Sequence, residues 1–187
     1  MPLITFVEII NLIILTIVIG YIFSSFVRRP RTLHDLYRKG RFNLEDIKFS
    51  SLIAAPAVVL HELAHKFVAI GFGLAASFNL FPFGLFLGIF LRFINSPFLI
   101  VAPGYVLISQ GATQLQNVLI SFAGPFINLF LWLGSLFVLR TRKLKRSTAI
   151  ALHFSVIINM WLFIFNMLPI PPLDGSKVWF GLFKLLF

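Results

Sequence analysis

Apolar positions in this chain gather into long runs separated by short basic stretches. Four runs reach the ~20 residues a helix needs to cross the hydrocarbon core of a bilayer, at about 3–27, 50–70, 117–139 and 148–168. After the second run the pattern breaks. "GFGLAASFNLFPFGLFLGIFLRF" carries Gly71, Gly73, Pro82, Gly84 and Gly88, and Pro97, Pro103 and Gly104 follow, a density of breakers that argues against one straight helix. Short strands and re-entrant turns are expected over 72–116, and irregular backbone at membrane depth persists only where protein or a water-filled cavity covers it. This segment should therefore line something. The fourth run ends at "PIPPLDG", whose prolines 169, 171 and 172 cannot continue a regular helix. The last twelve residues are too short to span. Lys177 and Lys184, seven apart, share a helix face, as in an interfacial amphipathic end or a truncated further span. The pattern predicts an all-α polytopic membrane protein with about four transmembrane helices and a small membrane-embedded β or re-entrant region between the second and third. A single domain over 1–187 is expected, with the first span and a basic segment in 1–49 and the core in 50–180; no repeat or soluble domain stands out.

Composition strengthens this picture. With 59% hydrophobic and 12% charged residues, the chain has too little polar surface for a soluble globule. The first run lacks a basic n-region and a small-residue cleavage site, so it reads as a retained helix in a chain that starts near Met1. The net charge of +10 would suggest nucleic acid in a soluble protein, but the cations sit beside apolar runs. Arg28, Arg29, Arg31, Arg38, Lys39, Arg41 and Lys48 form one cluster, and Arg140, Arg142, Lys143, Lys145 and Arg146 another. By the positive-inside rule both lie in the cytoplasm and the N-terminus outside. Residues 28–49 are expected to lie along anionic headgroups, with His34 and Asp35 as surface residues. The partner is thus a lipid bilayer, not nucleic acid, and no oligomeric state is implied. There is no cysteine, so any metal must be held by nitrogen and oxygen.

The candidate chemistry follows from the scarcity of carboxylates. Of six in all, only Glu62 and Asp174 come after Asp46. An ionisable group inside a span costs ~3 kcal/mol or more unless paired or hydrated, and is a functional-site hypothesis by default. In His61-Glu62-Leu63-Ala64-His65 the histidines are four apart, about 40° around a helix, where two imidazoles can bind one metal. Glu62 lies about 100° from His61, near such a metal without being forced to ligate it, and could take a proton from a bound water. A hydrolytic zinc site typically has three protein ligands. The candidates for the third are His34, His153, Glu8 and Asp174. Glu8 reads as interfacial, and His153 looks away from the face shared by Asn159 and Asn166. Asp174 is better placed, after a proline break and before Gly175, which could let the chain turn sharply.

Three stretches together resemble the site-2 protease family of intramembrane zinc metalloproteases. "HELAHKF" is similar to its H-E-x-x-H helix, "AGPFINL" to its G-P-x-x-N helix and "NMLPIPPLDG" to its N-x-x-P…D-G segment. The resemblance implies Zn2+ held by His61, His65 and Asp174, Glu62 as general base, and Asn166 steadying substrate or oxyanion. Asn128 would serve helix packing and support of the ligands. It further implies a membrane-embedded sheet within 72–94 to which an unwound substrate could add as a strand. The expected function is hydrolysis of peptide bonds within transmembrane segments of other membrane proteins, in a multi-pass protein of a prokaryotic cell membrane with water reaching the site from the cytoplasmic side. The alternative is a non-catalytic metal-binding membrane protein or pseudoprotease that only holds such segments.

Overall fold

The computed structural model describes residues 3–27, 30, 43–94, 96 and 103–187. Most of the first basic cluster, together with His34 and Asp35, lies outside them. In chain order the elements are α1 (Phe6–Phe23), α2 (Leu44–Gly71), β1 (Ala76–Leu80), α3 (Pro82–Phe93), β2 (Gly104–Ile108), α4 (Gln114–Thr141), α5 (Arg146–Asn166) and α6 (Asp174–Leu186). Among the described residues α1, α2, α4 and α5 are long and apolar enough to cross a membrane. The fold is mostly helical with one small sheet.

Local chemistry sets the helix starts. Thr5 and Glu8 form a reciprocal cap at the head of α1, and Thr113 and Gln116 do the same for α4, each satisfying two otherwise orphaned N–H groups. The Asn43 side chain caps α2 by accepting from Glu45 N at 3.0 Å. That cap starts α2 at Leu44, so residues 44–49 belong to the helix and not to a separate segment lying along the headgroups.

The breaker-rich segment holds the expected short strands, with a helix between them. Pro82 opens α3 at its first turn, where its missing N–H costs nothing and its fixed φ suits a helix. Gly84 and Gly88 are buried within α3, leaving β1 before the helix and β2 after it. Only one of the two strands therefore falls within 72–94. The strands pair antiparallel with Phe78 opposite Val106. Bonds from Phe81 N to Pro103 O at 3.0 Å and from Ser109 N to Ala75 O at 2.8 Å fix the phase of the ladder. By the alternation of antiparallel pairs, Gly104, Val106 and Ile108 turn their backbone groups away from β1.

The interior lies between α1 and α2, where Leu15 and Ile19 meet Ile53, Ala54, Ala57 and Val58, with Phe78, Leu85 and Ile158 closing it. Small residues permit the close approach, since lipid supplies no hydrophobic drive between helices. α4 packs against α2, α5 and α6. The C-terminal segment is thus packed on the bundle, with Gly181 of the 13-residue α6 seated against Val118 of α4.

One carboxylate joins three elements. Glu8 is 3% exposed, not interfacial. Its Oε1 is ion-paired with Lys66 of α2 and accepts from Phe78 N of β1 at 2.7 Å, while Oε2 accepts from Thr5 N at 2.7 Å.

At the crossing of α1 and α2, a Cβ on Gly20 would lie 2.9 Å from Ser51 Cβ and 3.0 Å from Ile47 O. Gly20→Val should lower stability by about 1–3 kcal/mol, read as a lower thermal unfolding midpoint in detergent. Gly134→Ala, with nothing within 4 Å, should not lower it.

Candidate metal centre

His61 and His65 project from one face of α2 with ring centroids 4.8 Å apart. Both rings are buried, and each is held at Nδ1. His65 Nδ1 donates to Ile120 O of α4 at 2.7 Å; a carbonyl can only accept, so His65 carries its proton on Nδ1. His61 Nδ1 lies 2.6 Å from Asn128 Oδ1. The orientation of that amide follows from its other side, where Asn128 Nδ2 donates to Ala57 O and to Asn159 Oδ1, both at 2.9 Å. Asn159 is oriented in turn by donating to Ser155 O at 2.9 Å. Two backbone carbonyls thus fix the amides, and the amides fix the His61 tautomer.

Both Nε2 atoms are then bare acceptors, and they point at each other. They are 3.1 Å apart, and Asp174 Oδ2 lies 3.2 Å from each. With both rings neutral, three acceptors in one small triangle repel unless positive charge, a metal ion or added protons, sits among them. The edges suit zinc: a tetrahedral ion bonded at ~2.0–2.1 Å has ligand atoms about 3.3 Å apart. Two imidazoles and one carboxylate leave the fourth position open, as in hydrolytic sites.

Asp174 reaches this point because α6 is pinned to the end of α5. The Met167 carbonyl, past the last turn of α5, accepts from Trp179 Nε1 at 2.9 Å. Gly175 is a helical residue and not the expected sharp turn; a Cβ there would lie 2.6 Å from Met167 O. Its small size lets the first turn of α6 close on the α5 terminus.

Glu62 is 9% exposed and faces a cavity of about 570 Å³ that also takes in His61, His65 and Asp174. No described residue donates a hydrogen bond to its carboxylate, so its lone pairs are open to whatever enters. The remaining wall includes Ile19 and Phe23 of α1, residues 104–106 and 108 along β2, Ser121 of α4, Leu162 and Asn166 of α5, and Lys177 of α6. Asn166 lines this cavity but touches none of the three ligand candidates, and its Nδ2 donates to Leu162 O at 3.0 Å. Lys177 faces the cavity while Lys184 does not line it. His153 is exposed on α5, away from the centre, and Glu8 is committed to Lys66.

Several contributors were not singled out from sequence. Asn159 was noted only for its helix face, and Ile120 and Trp179 act through a backbone carbonyl and an indole whose partners are distant in the chain. Gly124 stood in plain view within "AGPFINL". A Cβ there would clash with the His65 ring and lie 2.7 Å from His61 Nε2, so only glycine leaves room for the imidazoles.

Comparison with known proteins points the same way. Residues 133–187 match Peptidase family M50, a stretch that contains Asn159, Asn166 and Asp174 but not His61 or His65. A Methanocaldococcus jannaschii protein is 32% identical over 175 residues, covering 91% of this chain and 82% of its own. A Bacillus subtilis protein is 32% identical over 146 residues, 64% of this chain and 62% of the relative. A Synechocystis protein is 29% identical over 130 residues, 69% of this chain and 30% of the relative. Each is named "putative zinc metalloprotease". No solved structure matches the chain.

Two substitutions test the geometry. Asn128→Leu removes the acceptor that fixes His61 and should weaken metal binding by about 10- to 100-fold, measured by competition with a chromogenic chelator. Gly124→Ala should abolish metal retention through purification while the helical circular-dichroism signal persists.

Proposed function

The chain belongs to peptidase family M50, and from that premise we propose that it is an intramembrane zinc metalloprotease, hydrolysing peptide bonds within transmembrane segments of other membrane proteins. One observation carries the reading: a triangle of three acceptors beside an unbonded carboxylate, opening on a cavity among helices suited to a bilayer. The catalytic core is assigned to residues 50–180, with 1–49 as its first span and basic segment.

His61, His65 and Asp174 would hold the ion. Bound zinc supplies a Lewis acid and brings the pKa of a coordinated water toward ~7. Glu62 accepts the proton of the attacking water on its carboxylate and returns it to the departing amine nitrogen. Asn166 has one amide hydrogen beyond its bond to Leu162 O, and this is the candidate donor to the oxygen of the scissile carbonyl.

The substrate must present an unwound stretch, because a regular helix occupies its carbonyls in hydrogen bonds. The outward backbone groups of Gly104, Val106 and Ile108 line the cavity, which favours a substrate segment adding alongside β2. Water would reach the centre from the cytoplasmic side of a prokaryotic cell membrane, the orientation that the basic clusters favour.

The test is zinc stoichiometry together with cleavage of a synthetic transmembrane peptide by the purified protein. Glu62→Gln should lower the cleavage rate by a hundredfold or more, in the range of a lost general base, with zinc content unchanged. Asp174→Ala should lower zinc content itself. A wild-type protein that binds zinc and cleaves no such peptide would instead be a pseudoprotease.

A further inference from the structure

The Glu8–Lys66 pair plays no part in that chemistry, yet it is among the most deeply buried groups of the chain. Lys66 is 1% exposed and Glu8 3%. Stability alone explains it poorly, since replacing a buried ion pair with well-packed apolar side chains is often neutral or stabilising. What the pair touches is more informative. Lys66 directly follows His65 on α2, so the ammonium is fixed to the metal-binding helix. Glu8 Oε1 takes that ammonium and, on the same oxygen, the N–H of Phe78 at 2.7 Å.

The phase of the ladder gives that bond its meaning. Phase places the N–H of Phe78 on the side of β1 facing away from β2, where no strand satisfies it. In a bilayer an unsatisfied strand N–H costs several kcal/mol. Glu8 satisfies it and ties the outer edge of the sheet to the residue beside a metal ligand. The opposite edge of the same two-stranded sheet carries Gly104, Val106 and Ile108 along the cavity.

We propose that Glu8, held by Lys66, is a positioning residue: it sets where the β2 edge stands relative to His61 and His65, and thereby how a substrate strand is presented to the metal. This rests on the protease reading for its consequence, though not for its geometry. Neither residue touches substrate or the reacting atoms.

Two variants of the full chain in detergent test it. E8L/K66M removes the anchor without leaving a buried charge, and E8Q/K66M keeps an amide oxygen that can accept from Phe78 N, also without a buried charge. Amide hydrogen exchange over residues 76–80 reads the anchor without reference to activity, and zinc content reads the metal site. Expected for E8L/K66M is exchange faster by about tenfold or more, as for loss of a hydrogen bond to a charged group, with zinc still bound. KM for the transmembrane peptide should rise by about tenfold and kcat change less than about threefold, the pattern of lost binding and not of lost chemistry. E8Q/K66M should stay within about threefold of wild type in exchange over 76–80, because the acceptor for Phe78 N is kept. Wild-type exchange and KM in E8L/K66M would overturn the proposal, as would E8Q/K66M exchanging as fast as E8L/K66M. Either variant decides alone if the other fails to fold. A wild-type protein that cleaves nothing fails the protease reading instead, and the exchange measurement still stands.

Discussion

Everything at the centre of this molecule depends on two imidazole nitrogens held facing each other beside one carboxylate oxygen. His61 Nε2 and His65 Nε2 stand 3.1 Å apart, an arrangement two neutral rings avoid when either can turn or exchange tautomers. Neither can. The Ile120 carbonyl holds one ring, and Asn128, fixed by Ala57 and Asn159, holds the other. The cost of pointing acceptors at one another is thus set by the protein before any ion arrives, so ligand geometry need not be assembled at the moment of binding.

The bilayer sharpens that constraint. With no water to satisfy stray polar groups, each ligand-orienting side chain must itself be oriented, and the chain of bonds ends only at backbone carbonyls. This is why the amides of Asn128 and Asn159 occur together on α4 and α5. Asn128 is wholly buried and Asn159 nearly so. The same links hold α2, α4 and α5 together, so helix packing and metal geometry share one network. Gly124 adds the steric condition, bringing α4 against the rings more closely than any side chain would permit.

Legibility in the sequence tracked the range of the forces involved. Four apolar runs gave four helices of bilayer length because hydrophobic length is local, and the spacing of His61 and His65 gave one helix face for the same reason. Asp174 was reachable from sequence by scarcity of carboxylates and by resemblance. What brings it to the histidines was not: Trp179 and Gly175 act on the end of α5 through contacts that only the fold creates. Over 72–116 the two short strands follow the pattern of breakers while α3 between them does not, because a breaker has two meanings. Pro82 ends a helix from within but starts one from its first turn, and composition alone does not separate the cases.

Glu8 was the instructive error, because charge balance within the membrane could have found it. Lys66 is the only cation between Lys48 and Arg92, in the middle of a span, and a lone ammonium there needs a counter-charge. Glu45 and Asp46 head the same helix about 30 Å away, and Asp174 and Glu62 are claimed by the metal chemistry. Glu8 is the carboxylate left within a span. Around the proposed centre three carboxylates, Glu8, Glu62 and Asp174, face two ammonium groups, Lys66 and Lys177 on the cavity wall, an excess of one negative charge that a cation among the ligand atoms offsets.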